Sequence, residues 1–127
     1  MLTVLTVQGW TGDTVNLFAV FPSDPAPSSF GGFSQALIEA GPILVWHAFE
    51  GGLLLILSLL VLALSLRKKP RSVLVCSLLG LLMIVSATIG GILFVLSGFQ
   101  ANPSSAQMGG SFIGAYAFYF LELYYAK

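Results

Sequence analysis

Two long stretches of apolar residues constrain this chain more than any other feature of its sequence. Residues 41–66 contain only two ionisable side chains, His47 and Glu50, and residues 72–99 contain none apart from the thiol of Cys76. The first stretch, as one α-helix, would be about 38 Å long, which is enough to cross a hydrocarbon core of about 30 Å. We therefore predict two membrane-spanning helices that are joined by a short hairpin.

A third apolar stretch, residues 106–126, is richer in aromatic side chains and carries one acid, Glu122, near its end. As a helix it would be about 30 Å long, which just crosses the hydrocarbon core. We therefore predict an all-α integral membrane protein with three transmembrane helices, at approximately residues 41–66, 72–99 and 106–126.

The composition supports this fold class, because 57% of the residues are hydrophobic and only 8% are charged, against about 25% charged residues in soluble proteins. So few polar side chains could not cover a soluble domain, and the same apolar excess excludes a disordered chain. With zero net charge and five Lys and Arg residues, the sequence also predicts no nucleic-acid partner. The partner that the composition predicts is the lipid bilayer.

The basic residues are concentrated at one side of the predicted membrane domain. Four of the five lie in the loop 67–71 between the first two spans, and the fifth is Lys127. Because cytoplasmic loops of membrane proteins carry an excess of Lys and Arg, we expect this loop and the C-terminus to face the cytoplasm. The expected location is therefore the cell membrane, which the chain crosses several times.

The first 40 residues are predicted to form an N-terminal segment in front of the membrane domain of residues 41–127. Residues 1–22 are apolar, but polar and glycine residues interrupt them, and β-branched residues alternate over residues 3–7. Two interpretations stay open: an extracytoplasmic segment that lies on the membrane or on a partner, and a fourth membrane-spanning helix. We favour the first, because a polar residue near the middle of a span is costly.

The rest of this segment is expected to form an exposed turn over residues 22–29 and a short helix at the outer surface over residues 30–40. Residues 1–22 have no basic region at their start and no small-residue cleavage signal. The sequence therefore predicts no removed signal peptide.

His47 and Glu50 are three residues apart, so they share one face of the first predicted span. Ionisable residues inside a membrane are candidates for function. The functional interpretations are an axial ligand of a b-type haem, a copper or zinc ligand, and a quinone-binding pair in which Glu50 accepts a proton. The structural interpretation is that Trp46 and His47 anchor the helix at the interface, while Glu50 caps it or pairs with a neighbouring subunit. We favour the structural one, because one histidine cannot build a two-histidine haem site.

Met108 is the one residue that strengthens the haem interpretation. It begins the third predicted span, at roughly the depth of His47, and His with Met is an accepted pair of axial haem ligands. The alternative is that Met108 fills a packing gap, as flexible methionine side chains often do.

Small residues recur at four-residue spacing in the second and third spans: Ser86 and Gly90, Ala87 and Gly91, Ala106 and Gly110, Gly110 and Gly114. Such pairs let helix backbones approach closely, and close approach drives association of helices in lipid. We therefore predict packing seams at Gly90, Gly91, Gly110 and Gly114. The functional alternative is that these glycines make room for a flat cofactor or a lipid tail.

The chain contains no nucleophile with an adjacent base, no phosphate-binding loop and no cluster of metal ligands, so we predict that it is not an enzyme. Its general appearance is similar to small accessory subunits of respiratory and other redox membrane complexes. We expect a non-catalytic subunit of a larger membrane complex, of the electron-transfer kind, whose partners are other membrane-protein subunits. The alternatives are a redox module that binds a b-type haem through His47, and a self-associating structural membrane protein.

Overall fold

The computed structural model describes residues 1–21, 30–67 and 70–126, and this part of the chain is entirely helical apart from turns. It contains five helices: α1 (Leu2–Phe18), α2 (Phe30–Glu39), α3 (Pro42–Ser65), α4 (Arg71–Leu96) and α5 (Asn102–Tyr125). The predicted turn at 22–29 and the three lysines of the chain (Lys68, Lys69, Lys127) lie outside the described residues.

Helices α3 and α4 are long and apolar enough to cross a membrane, which supports association with a membrane. Their bounds lie within three residues of the predicted spans. Pro42 lies in the first turn of α3, where the backbone N–H that proline lacks would have no partner within the helix. The preceding Gly41 has φ of 103°, a conformation that favours glycine and that lets the chain turn from α2 into α3.

Helix α5 begins four residues earlier than predicted. The sequence indicated a turn over residues 100–105, but Pro103 lies in the first turn of the helix, where its missing N–H has no cost. The connection from α4 is held by Ser97, whose Oγ accepts hydrogen bonds from the backbone N–H groups of Gln100 and Ala101.

Four long helices pack as an antiparallel bundle. Helices α4 and α5 make the most extensive contact, and its register is set by Ser77 opposite Glu122 at one end and Gly90 opposite Met108 towards the other. Ser65 on α3 meets Ser77 on α4. We call the end where α3 ends and α4 begins the basic end, because it carries Arg67 and Arg71, and the other the opposite end.

Residues 2–18 form one helix that packs along α3 and α5. Leu5 is fully buried with Leu54 in one apolar cluster, whereas Val15 and Leu44 lie in another cluster towards the opposite end. Helix α1 therefore runs antiparallel to α3 within the bundle. One of the polar residues that disfavoured such a helix, Gln8, is hydrogen-bonded to α3, whereas Asp13 and Asn16 are exposed.

The surface of the bundle is apolar around most of its circumference. Large exposed apolar side chains lie on every long helix, among them Trp10, Ile56, Leu60, Leu82, Ile113 and Phe120. Soluble monomers rarely expose continuous apolar patches of this kind. Two clusters of hydrogen-bonded polar side chains join α3 to its neighbours, one near each end of the bundle, and a third contact, between Ser86 and Ser111, joins α4 to α5.

Candidate functional site

One polar cluster joins α1 to α3 towards the opposite end, and we call it the outer cluster: Gln8, Thr11, Trp46, His47 and Glu50. On α3, Trp46 and Glu50 are four residues apart, and on α1, Gln8 and Thr11 are three apart, so each helix turns its polar groups to one face. The hydrogen bonds between these two faces fix α1 against α3.

Glu50 is the acceptor at the centre of the outer cluster, and it is 4% exposed. Thr11 Oγ1 donates to Glu50 Oε2 over 2.7 Å, and Trp46 Nε1 donates to Glu50 Oε1 over 2.7 Å. Both distances are typical of strong hydrogen bonds to a carboxylate. Glu50 thus finds within this chain the partners that the sequence analysis sought in a neighbouring subunit.

The imidazole of His47 lies beside the same threonine. Thr11 Oγ1 is 3.1 Å from His47 Nδ1, and Gln8 Nε2 is 3.1 Å from each ring nitrogen. A threonine hydroxyl has one proton, and two acceptors lie near that of Thr11: Glu50 Oε2 at 2.7 Å and the carbonyl oxygen of Gln8 at 3.1 Å. We assign the proton to the shorter contact, with Glu50, which leaves Oγ1 to accept from Nδ1–H of His47. With that tautomer, Nε2 of His47 is an acceptor for the amide of Gln8.

This assignment makes a continuous chain of donors and acceptors from Nδ1–H of His47 through the hydroxyl of Thr11 to Oε2 of Glu50. The helical spacing of His47 and Glu50 placed these two residues on one face, but it could not indicate that Thr11 of α1 lies between them.

The predicted haem ligands face different elements of the bundle. Gln8 and Thr11 contact the ring nitrogens of His47, so iron at Nε2 would require the amide of Gln8 to move. The side chain of Met108 packs against α4, where its Cγ and Sδ lie 3.1 Å and 3.3 Å from the Cβ positions of alanines built at Gly90 and Gly91. Met108 occupies a packing position there.

Within the described ranges, no group of three or more His, Cys, Asp and Glu side chains is placed so that it could hold a metal ion. The copper and zinc interpretations would therefore have to use His47 and Glu50 with ligands of another kind.

The predicted small-residue positions fall into two groups. An added Cβ at Gly90 would lie 3.0 Å from the carbonyl oxygen of Ser104, and one at Gly114 would lie 2.8 Å from Met83 Sδ. With Gly91, these two glycines therefore form the seam between α4 and α5. Gly110 differs, because an added Cβ there would have no atom of the described chain within 4 Å.

The second polar cluster, which we call the inner cluster, was not predicted. Ser65 Oγ and Ser77 Oγ are 2.7 Å apart, and they lie 3.2 Å and 2.8 Å from Glu122 Oε1. Because each hydroxyl has one proton, Ser65 can donate to Ser77 while Ser77 donates to Glu122 over the shorter distance. No local pattern indicates it, because Ser65 is the last residue of α3 whereas Ser77 lies six residues after the start of α4.

No family model, curated protein or solved structure matches this chain. Its function is therefore inferred from the arrangement of its own residues and from physical chemistry.

Proposed function

We propose that this chain is a small, non-catalytic helical subunit of a larger membrane complex of the electron-transfer kind. One observation carries the proposal: α5 turns Gly109 and Gly110 outward, and an added Cβ at either would have no atom of the described chain within 4 Å. A glycine offers lipid no side chain to pack against, whereas it lets the backbone of a second helix approach closely. Exposed apolar side chains continue the same face, with Ile113 at 68% and Phe120 at 60% exposure.

The outer cluster supports the electron-transfer part of the proposal. Quinone and oxygen reduction in membranes consumes protons, so redox complexes need paths that bring protons to buried sites. His47, Thr11 and Glu50 form such a chain of donors and acceptors. Their hydrogen bonds lie within this chain, which leaves the outward faces for partners and lipid.

The proposal includes four membrane-crossing helices, α1, α3, α4 and α5, with the basic end in the cytoplasm. Helix α1 lies beside α3 over most of the length of α3, and α5 exposes several large apolar side chains, among them Ile113, Phe120 and Leu123. Arg67 and Arg71 favour a cytoplasmic basic end. An even number of crossings places the N-terminus at that same end.

Cysteine labelling tests this topology. In a Cys76→Ser background, single cysteines replace Thr3, Ser72 and Gln100, none of which is charged. A membrane-impermeant maleimide applied to intact cells is expected to label Gln100→Cys, and to label Thr3→Cys and Ser72→Cys only after permeabilisation. Labelling of Ser72→Cys from outside would contradict the orientation, and labelling of Thr3→Cys from outside would contradict a crossing by α1.

Gly110→Leu tests the assembly. The new side chain meets no atom of its own chain but holds a partner helix away, and overpacking of this kind costs about 1–3 kcal/mol. We therefore expect copurification of the native partners in mild detergent to weaken by about 5- to 150-fold, with the thermal stability of the isolated bundle unchanged. Gly52→Leu is the matched control, because Gly52 also faces open space, but on α3.

Unchanged copurification of Gly110→Leu would show that this face of α5 contacts lipid and would remove the observation that carries the proposal. If copies of this chain are the only proteins that copurify, the self-associating structural protein replaces the accessory subunit.

A further inference from the structure

A buried phenol without a hydrogen-bond partner lies in the middle of the bundle. Tyr119 is 2% exposed, and its hydroxyl has no partner among the described residues. Ser58 is its polar neighbour, and Ser58 donates its own proton to the carbonyl oxygen of Leu55. The oxygen of Ser58 is therefore free to accept a hydrogen bond from the phenol, and water is the molecule that can supply a donor to the phenol oxygen.

A partly open cavity at the basic end borders Tyr119. It has a volume of about 240 Å³, and its lining includes Met1 and Leu2 of the N-terminus, Val61 of α3, and both Tyr119 and Glu122 of α5. The hydroxyl of Tyr119 is buried from this cavity, so water can reach it only when the side chains around it part.

Polar groups occupy three levels along the buried face of α3. Ser65 lies at the level of Glu122, Ser58 at the level of Tyr119, and Glu50 at the level of the outer cluster. Seven residues separate Ser65 from Ser58 and eight separate Ser58 from Glu50, which corresponds to rises of about 10 Å and 12 Å along the helix.

One apolar layer interrupts this series. Leu5 and Leu54 are 0% and 2% exposed, and they pack with Ile84 and Ala115 in one cluster with Tyr119. Leu54 lies one turn from Glu50 and one turn from Ser58, so it lies between the outer cluster and the phenol. Apolar constrictions of this kind close pores by excluding water and open when side chains part.

We propose that the interior of the bundle is a proton pathway between its two ends, closed in this structure by Leu5 and Leu54. The proposal rests on the four helices crossing the membrane together. A proton from the opposite end binds Nε2 of His47, Nδ1 passes its proton to Thr11, and Thr11 passes its own to Glu50.

Gln8 is placed to assist the first of these steps. Its Oε1 is the other buried polar atom without a partner among the described residues. Rotation of the amide by 180° would turn this oxygen to Nε2–H of His47, in exchange for the hydrogen bond that Gln8 Nε2 donates to the backbone carbonyl oxygen of His47.

The proton then leaves Glu50 for water between the parted leucines and reaches Tyr119, Glu122 and the cavity by exchange along the waters. Reverse rotation of the Thr11 hydroxyl and exchange of the His47 tautomer restore the starting state. No electron moves, no bond other than those to the proton changes, and one proton crosses down its gradient.

Proton flux into liposomes tests the pathway. The purified protein is reconstituted into liposomes that contain the pH-sensitive dye pyranine, and a potassium gradient with valinomycin drives proton uptake. Leu54→Ala empties part of the apolar layer and is expected to raise the rate at least tenfold over the wild-type chain. Leu60→Ala is the matched control, because Leu60 is exposed on the surface of the same helix, and it should leave the rate unchanged.

The route is tested by adding Glu50→Gln or Glu122→Gln to Leu54→Ala, and either change should return the rate to that of the wild type. Leu5→Ala opens the same layer from α1 and replaces Leu54→Ala if that variant does not fold. A rate for both opening variants no higher than that of Leu60→Ala would overturn the pathway, as would a raised rate that both glutamine substitutions leave intact. The outward faces are unchanged in these variants, so copurification of partners reports on the proposed subunit role separately.

Discussion

Gly80→Leu should disrupt the packing of α4 against α5 and lower the stability of the bundle more than any other single glycine substitution in it. A Cβ added at Gly80 would lie 2.7 Å from Cζ and 2.8 Å from Cε2 of Tyr119. The ring has little room to withdraw, because it is buried against Ile84 and Ala115. Overpacking costs about 1–3 kcal/mol and occasionally more, and we expect the upper end of that range here.

The measurement is the free energy of unfolding in mixed detergent micelles, followed by helical circular dichroism. Gly52→Leu is the control, since no atom of the described chain lies within 4 Å of a Cβ at Gly52, and it should change the stability by less than about 1 kcal/mol. A smaller side chain opposite the clash, as in Gly80→Ala with Tyr119→Leu, should be more stable than the two single changes added together. If Gly80→Leu is as stable as Gly52→Leu, the register of α4 against α5 is wrong.

Apolar continuity is the reason why α3 and α4 could be predicted from the sequence. Pro42–Ser65 and Arg71–Leu96 lie close to the predicted 41–66 and 72–99, because charged residues and prolines end an apolar run abruptly. Gly90 and Gly91 were predicted to pack for a similar reason, since their four-residue spacing from small residues is a local pattern. Gly80 has Cys76 and Ile84 at that spacing, so its close contact with Tyr119 could not be recognised.

The outer cluster could be predicted only in part, because its members come from two distant segments. Helical spacing placed His47 and Glu50 on one face, as the structure has them. Their partners, Gln8 and Thr11, lie 36 to 39 residues earlier, and local patterns do not show which segments meet. Gln8 was among the polar residues that disfavoured a membrane-crossing helix in residues 1–22, although polar side chains within a membrane bundle can satisfy one another.

Thr11→Val should release α1 from α3 while the rest of the bundle stays folded. Valine has nearly the shape of threonine but lacks the hydroxyl, so Glu50 loses its 2.7 Å donor and Nδ1 of His47 loses its acceptor. A hydrogen bond to a charged group contributes about 1.5–3 kcal/mol, and a buried partner that is left unsatisfied adds to the loss. We expect a local cost of about 2–4 kcal/mol.

Hydrogen exchange of the backbone amides measures this release, because amides of a helix exchange when it opens locally. A cost of 2 kcal/mol or more corresponds to exchange that is about 30-fold faster or more. We expect this for the amides of residues 2–18 and not for those of α4. Thr11→Ser keeps the hydroxyl and should leave exchange in α1 within a few-fold of the wild type. Equal exchange in the valine and serine variants would show that Leu5 and Val15 hold α1 by apolar packing alone. The hydroxyl of Thr11 would then have no structural role, and its contact with Glu50 would matter only for the movement of a proton.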